Sequence, residues 1–180
     1  MEITLPHRYR PRDYQLPLLR AIDNGIKHIF VLMHRRAGKD ITLWNAFIKR
    51  AFQVKGLHYY LLPTYAQAKK VIWDGMTNDG IRFLDFIPKE LVKSQNSQEL
   101  KIELVNGSIL QLIGTDKYDG VRGTNPITLV YSEYAFHNPM AREVLSPIIR
   151  ANKGIEVFNT TPNGHNHAEI LWKYAQQHSE

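Results

Sequence analysis

The segment VLMHRRAGKD, Val31 to Asp40, ends in a Gly-Lys pair placed between an apolar run and a stretch of helical period. A strand-to-helix turn with that ending can hold phosphate. Backbone N–H groups and the helix N-terminus face the anion, Gly38 lets the backbone come close, and Lys39 supplies a mobile positive charge. Met33 stands where such a loop has its first glycine, and Asp40 where it has Ser or Thr. The same residues also read as an ordinary turn with Arg35, Arg36 and Lys39 solvated.

Three other stretches carry polar groups of a matching kind. The apolar run Ile127 to Tyr131 delivers Ser132 and Glu133 at its end, the edge at which open α/β sheets bind ligands. Glu133 reads equally as a carboxylate that takes a proton from an attacking water and as a solvated glutamate after a core strand. In NTTPNG, Thr160, Thr161 and Asn163 follow another apolar run, where they can contact a phosphate or water whose loss moves the segment, or merely form a turn capping the last helix. In RYRPRDYQ, Tyr9 offers a flat face and Gln15 an amide able to pair with the edge of adenine, although both also suit packing and a helix start.

These positions need strands and helices to hold them. The runs HIFVLM (28–33), LHYYLL (57–62), ITLVYS (127–132) and IEVFNT (155–160) are continuous and apolar, as strands are when helices cover both faces of a sheet. Between them a helix is expected over Gly38 to Gln53, ended near Gly56. A second is expected over Tyr65 to Met76 with Tyr65, Ala68, Ile72 and Met76 on one face, and a third over Met140 to Arg150. His167, Ile170, Leu171 and Tyr174 make a final stripe. In LKIELVNGSILQLIG, alternating segments flank Asn106-Gly107 and predict an antiparallel hairpin near 100–113. The class is α/β, a mostly parallel central sheet flanked by helices.

Composition narrows the partners. A chain of 180 residues suits one domain, and with 43% apolar and 11% aromatic residues it is globular rather than disordered. No apolar run approaches the roughly 20 residues of a membrane-spanning helix, and the N-terminus lacks an apolar leader core, so no membrane partner and an intracellular place are expected. Zero cysteines exclude disulfides and thiolate metal sites. The +6 charge leans toward polyanions such as nucleic acid.

Taken in order, HRRAGKD, GVRGTNPITLVYSEYAFH and NTTPNGHNH resemble the ATPase domain of the large terminase subunit of tailed bacteriophages, over nearly the whole chain. That resemblance implies a phosphate-loop NTPase fold of the ASCE type. It implies hydrolysis of ATP with Mg2+ to drive double-stranded DNA into a procapsid, in the cytoplasm of the host bacterium. The implied partners are a ring of identical subunits at the portal and a small terminase subunit, with a monomer in isolation. By the same resemblance His34, Arg35, Arg36, Ala37, Gly38, Lys39, Asp40 and Ile41 form the nucleotide-binding loop, with Arg35 or Arg36 at the phosphates. Tyr9 and Gln15 lie at adenine, Glu133 is the catalytic carboxylate, and Thr160, Thr161 and Asn163 are the coupling segment. Arg122, between Gly120 and Gly123, is expected to reach a phosphate on a neighbouring subunit, or else to pair with Asp116 or Asp119.

Asp40 and Ser132 then look like an exchange. The usual metal site takes a hydroxyl from the loop and a carboxylate from the strand, and here those two groups have traded places. Asp40 as a helix cap, or an inactive site, are the other readings. The family's nuclease domain is not expected in this chain. A superfamily-2-like helicase motor and a catalytically inactive nucleic-acid-binding module are the alternatives.

Overall fold

Apolar runs become strands here because burial on both faces rewards side chains that pack in both directions. The computed structural model describes residues 9–178; residues 1–8, part of the stretch read for a leader, and residues 179–180 lie outside it. The strands are β1 (His28–Leu32), β2 (Leu57–Leu62), β3 (Val92–Asn96), β4 (Lys101–Leu104), β5 (Ile109–Gly114), β6 (Pro126–Ser132) and β7 (Ile155–Thr160). They form a sheet in the order β1-β7-β6-β2-β5-β4-β3. The pairings from β1 through β5 are parallel, and β4 and β3 extend the sheet antiparallel.

The helices are α1 (Leu16–Asp23), α2 (Lys39–Gln53), α3 (Tyr65–Ala68), α4 (Pro139–Ala151) and α5 (His167–Gln177). One apolar layer joins α1 and α2 to the sheet through Leu18, Ile22, Leu43, Phe47, Val31, Val130 and Val157. The opposite layer joins α4 and α5 through Leu145, Ile149, Ala168, Leu129, Tyr131 and Phe158. The hairpin turn is tied to the end of α2, where the Asn106 amide and the Ser108 hydroxyl both donate to the Ala51 carbonyl, at 2.9 and 2.7 Å. That satisfies a helix-end acceptor and sets β5 beside β2.

Two sequence expectations are corrected. The Tyr65 face does not run on to Met76. After Ala68 the helix widens into a π turn over Lys69–Trp73, which rotates the following residues so that Ile72 and Trp73 are buried, while Met76 is 60% exposed beyond the helix. The final helix does form, but Ile170 and Tyr174 of its stripe face outward at 70% and 57% exposure. Ala168 and Leu171 are the residues that pack, because α5 rests on the layer of Phe158 and Tyr134 by one narrow edge.

Candidate functional site

The site is assembled by register. Leu32 lies opposite Thr160, and Ser132 lies opposite Asn159. The loop after β1, Glu133 after β6 and Thr160–Thr161 at the end of β7 therefore leave three adjacent parallel strands at one edge of the sheet. Met33 N–H donates to the Thr160 carbonyl at 3.3 Å, which extends the β1–β7 pairing into the loop. The loop turns through two left-handed residues, Arg36 (φ 62°) and Gly38 (φ 75°). Gly38 is needed for a second reason: a Cβ there would stand 2.9 Å from Gln15 Nε2.

The segment before α1 braces the loop from behind. Gln15, 2% exposed, donates from Nε2 to the Ala37 carbonyl at 2.8 Å and accepts at Oε1 from Arg12 N–H at 2.9 Å. Tyr14 donates to the same Ala37 carbonyl at 3.0 Å. The Tyr9 hydroxyl lies 2.9 Å from Gln15 Oε1 and 2.8 Å from Thr42 Oγ1, and Thr42 in turn bonds the Gly38 carbonyl at 2.8 Å. Tyr9 and Gln15 thus meet the loop, and in this arrangement the Gln15 amide is engaged by the chain itself.

Lys39 opens α2 and is 6% exposed. Its ammonium lies 3.0 Å from Thr161 Oγ1, 3.3 Å from the His34 carbonyl and 3.7 Å from Glu133 Oε1. One cation therefore joins all three strand ends. His34, Arg35 and Arg36 are exposed, and Ile41 is half-buried against the core. The two arginines have no acidic partner among the described residues, which leaves their guanidinium groups open to an anion.

Asp40 and Ser132 meet. The Ser132 hydroxyl hydrogen-bonds Asp40 Oδ1, and the fully buried Tyr60 donates to the same oxygen at 3.0 Å. Burial and the adjoining carboxylate push the Tyr60 hydroxyl well above its ordinary pKa, so it stays a donor. Behind them His137, 4% exposed, lies 2.7 Å from the Ser132 carbonyl through Nε2 and 3.1 Å from Thr115 Oγ1 through Nδ1. A carbonyl only accepts, so the proton sits on Nε2. Burial lowers the His137 pKa to about 4 and keeps the ring neutral.

Glu133 itself is left-handed at φ 58°, ψ 49°, an unfavourable conformation for a side chain with a Cβ. Its Oε2 lies 3.5 Å from Thr161 Oγ1. Thr160 is 3% exposed and accepts from Ala135 N–H at 3.3 Å. Asn163 is exposed; its carbonyl accepts from Asn166, the residue that caps α5. Arg122 lies away from this cluster, 62% exposed, with Nε 2.7 Å from Asp119 Oδ1. Among the described residues no group of three or more His, Asp or Glu side chains gathers, so any metal here rests on few protein ligands.

Sequence reasoning missed Tyr60, Thr42, His137 and Asn159. Tyr60 and Asn159 were hidden inside runs read as core strands, and the partners of Tyr60 and His137 are far away in sequence or in the backbone. Asp40 was the clue to Tyr60, since a carboxylate at a loop position that usually has a hydroxyl requires donors.

The chain superposes on the large terminase ATPase domain of Thermus phage P74-26 with a TM-score of 0.71 at 18% identity, over 91% of this chain and 69% of that one. The fold is that of a large-terminase ATPase domain. The large terminase of a thermophilic bacteriophage aligns at TM-score 0.69 and 14% identity, over 93% of this chain and 44% of its own. A second crystal form of that terminase, in complex with ADP, aligns at TM-score 0.62 and 14% identity, over 82% of this chain and 38% of its own. No protein-family profile matches the sequence, and no curated protein matches it significantly. Among the described residues no helix is long and apolar enough to cross a membrane.

Proposed function

We propose that this chain is a single ATPase domain of a viral DNA-packaging motor, a terminase large subunit that couples ATP hydrolysis to movement of double-stranded DNA into a procapsid. The observation that carries the reading is the Lys39 ammonium, buried where the loop, Glu133 and Thr161 converge. An ADP complex among the similar structures supports a nucleotide as the ligand.

In this reading residues 34–41 bind the nucleotide, and Lys39 exchanges its contacts with Thr161 and Glu133 for the β- and γ-phosphates. Glu133 takes the proton of the attacking water as its oxygen bonds to the γ-phosphorus and the bond to the ADP oxygen breaks. The donors present fit Mg2+, a hard cation that takes one or two protein oxygens together with phosphates and waters. Asp40, whose Oδ2 has no hydrogen-bond partner among the described residues, and Ser132 would hold it. When bound it would offset phosphate charge. Thr160, Thr161 and Asn163 relay loss of the terminal phosphate to α5, and Arg122 acts on a neighbouring subunit. The working form is a ring at the portal in the host cytoplasm, with the small subunit as a further partner, and the isolated chain is a monomer.

The test is magnesium-dependent ATP hydrolysis by the purified chain, alone and assembled with procapsids and DNA. Weak activity alone, stimulation on assembly and loss of both in Glu133→Gln are expected. A chain that neither hydrolyses nor binds nucleotide would defeat the proposal.

A further inference from the structure

A cavity of about 240 Å³ opens at the edge of the sheet opposite the loop, where β1 and β7 begin and α4 ends. Its walls are Lys27, His28, Ile149, Arg150, Lys153 and Gly154. Among the described residues Lys27, Arg150 and Lys153 have no acidic partner, so three positive charges meet over one hollow.

The hollow is built from below. Glu156, fully buried in β7, lies 3.2 Å from His28 Nδ1 and accepts from the Ser146 hydroxyl at 3.4 Å. That hydroxyl accepts in turn from Arg150 Nη2 at 3.2 Å. One carboxylate thus fixes two walls of the hollow, the imidazole directly and the guanidinium through a serine. Burial pushes the Glu156 pKa up, while Arg142, seated over the Phe158 ring, and His28 pull it down. Its charge is met inside the protein, and the rim keeps a positive excess.

Lys153 is an independent mark of the same place. It closes α4 in the left-handed region at φ 53°, with its N–H on the Arg150 carbonyl and Gly154 N–H on the Ile149 carbonyl. Glycine is the usual residue at such a helix end, because a Cβ is disfavoured there. The helix end does not need this second cation, since Lys27 Nζ already donates to the Lys153 carbonyl at 2.7 Å. Capping accounts for Lys27 and leaves the strained Lys153 to be explained.

We propose that this hollow binds a phosphate group, with Lys27, Arg150 and Lys153 supplying the charge, at a site separate from the nucleotide loop. The same contacts serve a free phosphate ion and a phosphodiester of a nucleic-acid backbone.

The experiment uses the full chain with Lys39→Ala throughout, which removes the loop's own attraction for phosphate. Inorganic phosphate is titrated by calorimetry, and a short double-stranded DNA is titrated over a range of salt. Adding Lys153→Gly is expected to weaken binding roughly threefold, and adding Lys27→Ala with it roughly tenfold. Lys153→Gly relieves the left-handed turn, so this variant should unfold no lower than the parent. Lys89→Ala, an exposed lysine on another part of the chain, should change neither titration. If DNA affinity falls and its salt slope drops by about one for each lost contact, the site takes a backbone phosphate. A loss for inorganic phosphate with DNA binding unchanged assigns the free ion. Phosphate and DNA affinities both unchanged by the two added substitutions overturn the proposal, as does an equal loss in Lys89→Ala. The cations would then serve only the end of α4 or the general charge.

Discussion

The hydroxyl of Ser132, at the end of β6, donates a hydrogen bond to the carboxylate of Asp40 in the first turn of α2, 92 residues away in sequence. The loop's carboxylate and the strand's hydroxyl thus form one hydrogen-bonded unit, which under the proposed function would hold the metal. Asp40→Ala is expected to abolish magnesium-dependent ATP hydrolysis and Asp40→Thr to impair it, while adding Ser132→Asp to Asp40→Thr restores activity. Hydrolysis by Asp40→Ala at the parent's rate would show that the pair has no part in metal binding.

Glu133 holds a left-handed backbone that costs a residue with a Cβ about 1–2 kcal/mol and glycine almost nothing. Its ion pair with Lys39 is long, at 3.7 Å, and a side chain 35% exposed gains little from it. Glu133→Gly should therefore unfold at a higher temperature than Glu133→Ala, with both inactive in hydrolysis. Differential scanning calorimetry decides it; equal midpoints would mean that the turn relaxes at no cost.

Arg122 is paired with Asp119 in the single chain, an exposed pair three residues apart that is worth little. An arginine so weakly held is free to serve a neighbour, and such a group contributes roughly 10³ or more to phosphoryl transfer. Mixing Arg122→Ala with Glu133→Ala subunits in an assembled ring is expected to recover part of the ATPase rate. Recovery should be absent when either variant is assembled alone. No recovery in the mixture, under conditions where the parent assembles and turns over, counts against action in trans.

His137 and His58 are both buried and have pKa values lowered by that burial to about 4. In the unfolded chain each takes up a proton near pH 6.5. Stability from keeping them neutral is complete above pH 6.5 and is lost as pH falls from 6.5 toward 4, by up to about 1.4 kcal/mol per unit for each ring. Denaturant unfolding at pH 7 and pH 5 should show a smaller loss in His137→Asn than in the parent. Parallel losses in the two proteins would assign the acid sensitivity elsewhere.

The legible parts of this protein were those whose signal is local. Continuous apolar runs marked β1, β2, β6 and β7, and Asn106-Gly107 marked the turn between β4 and β5. β3, reading VKSQN, has four exposed residues of five and no apolar alternation, because it is an edge strand whose one neighbour in the sheet is β4. α1 carried a signal that went unread: Pro17 in its first turn, Leu18 and Ile22 on one face, and Asn24-Gly25 as a stop. Within the site, Lys39 and Asp40 were readable from the Gly-Lys pair at the start of a helix, and Ser132 and Glu133 from their place at the end of an apolar run. The burial of Asn159 without a partner and the bond from Tyr60 to Asp40 depend on which strands are neighbours, which no spacing in the chain records.

The short turn after Glu133 is fastened on two sides. Ala135 N–H bonds Thr160 at the end of β7, and the Tyr134 carbonyl accepts from His167 Nε2 in the first turn of α5. In mechanical terms this turn is a rivet through three parts. Tension applied along α5 reaches the backbone beside Glu133 through one hydrogen bond, without first deforming the sheet. The reverse path is equally short: the same hydrogen bond ties the backbone beside Glu133 to the first residue of α5.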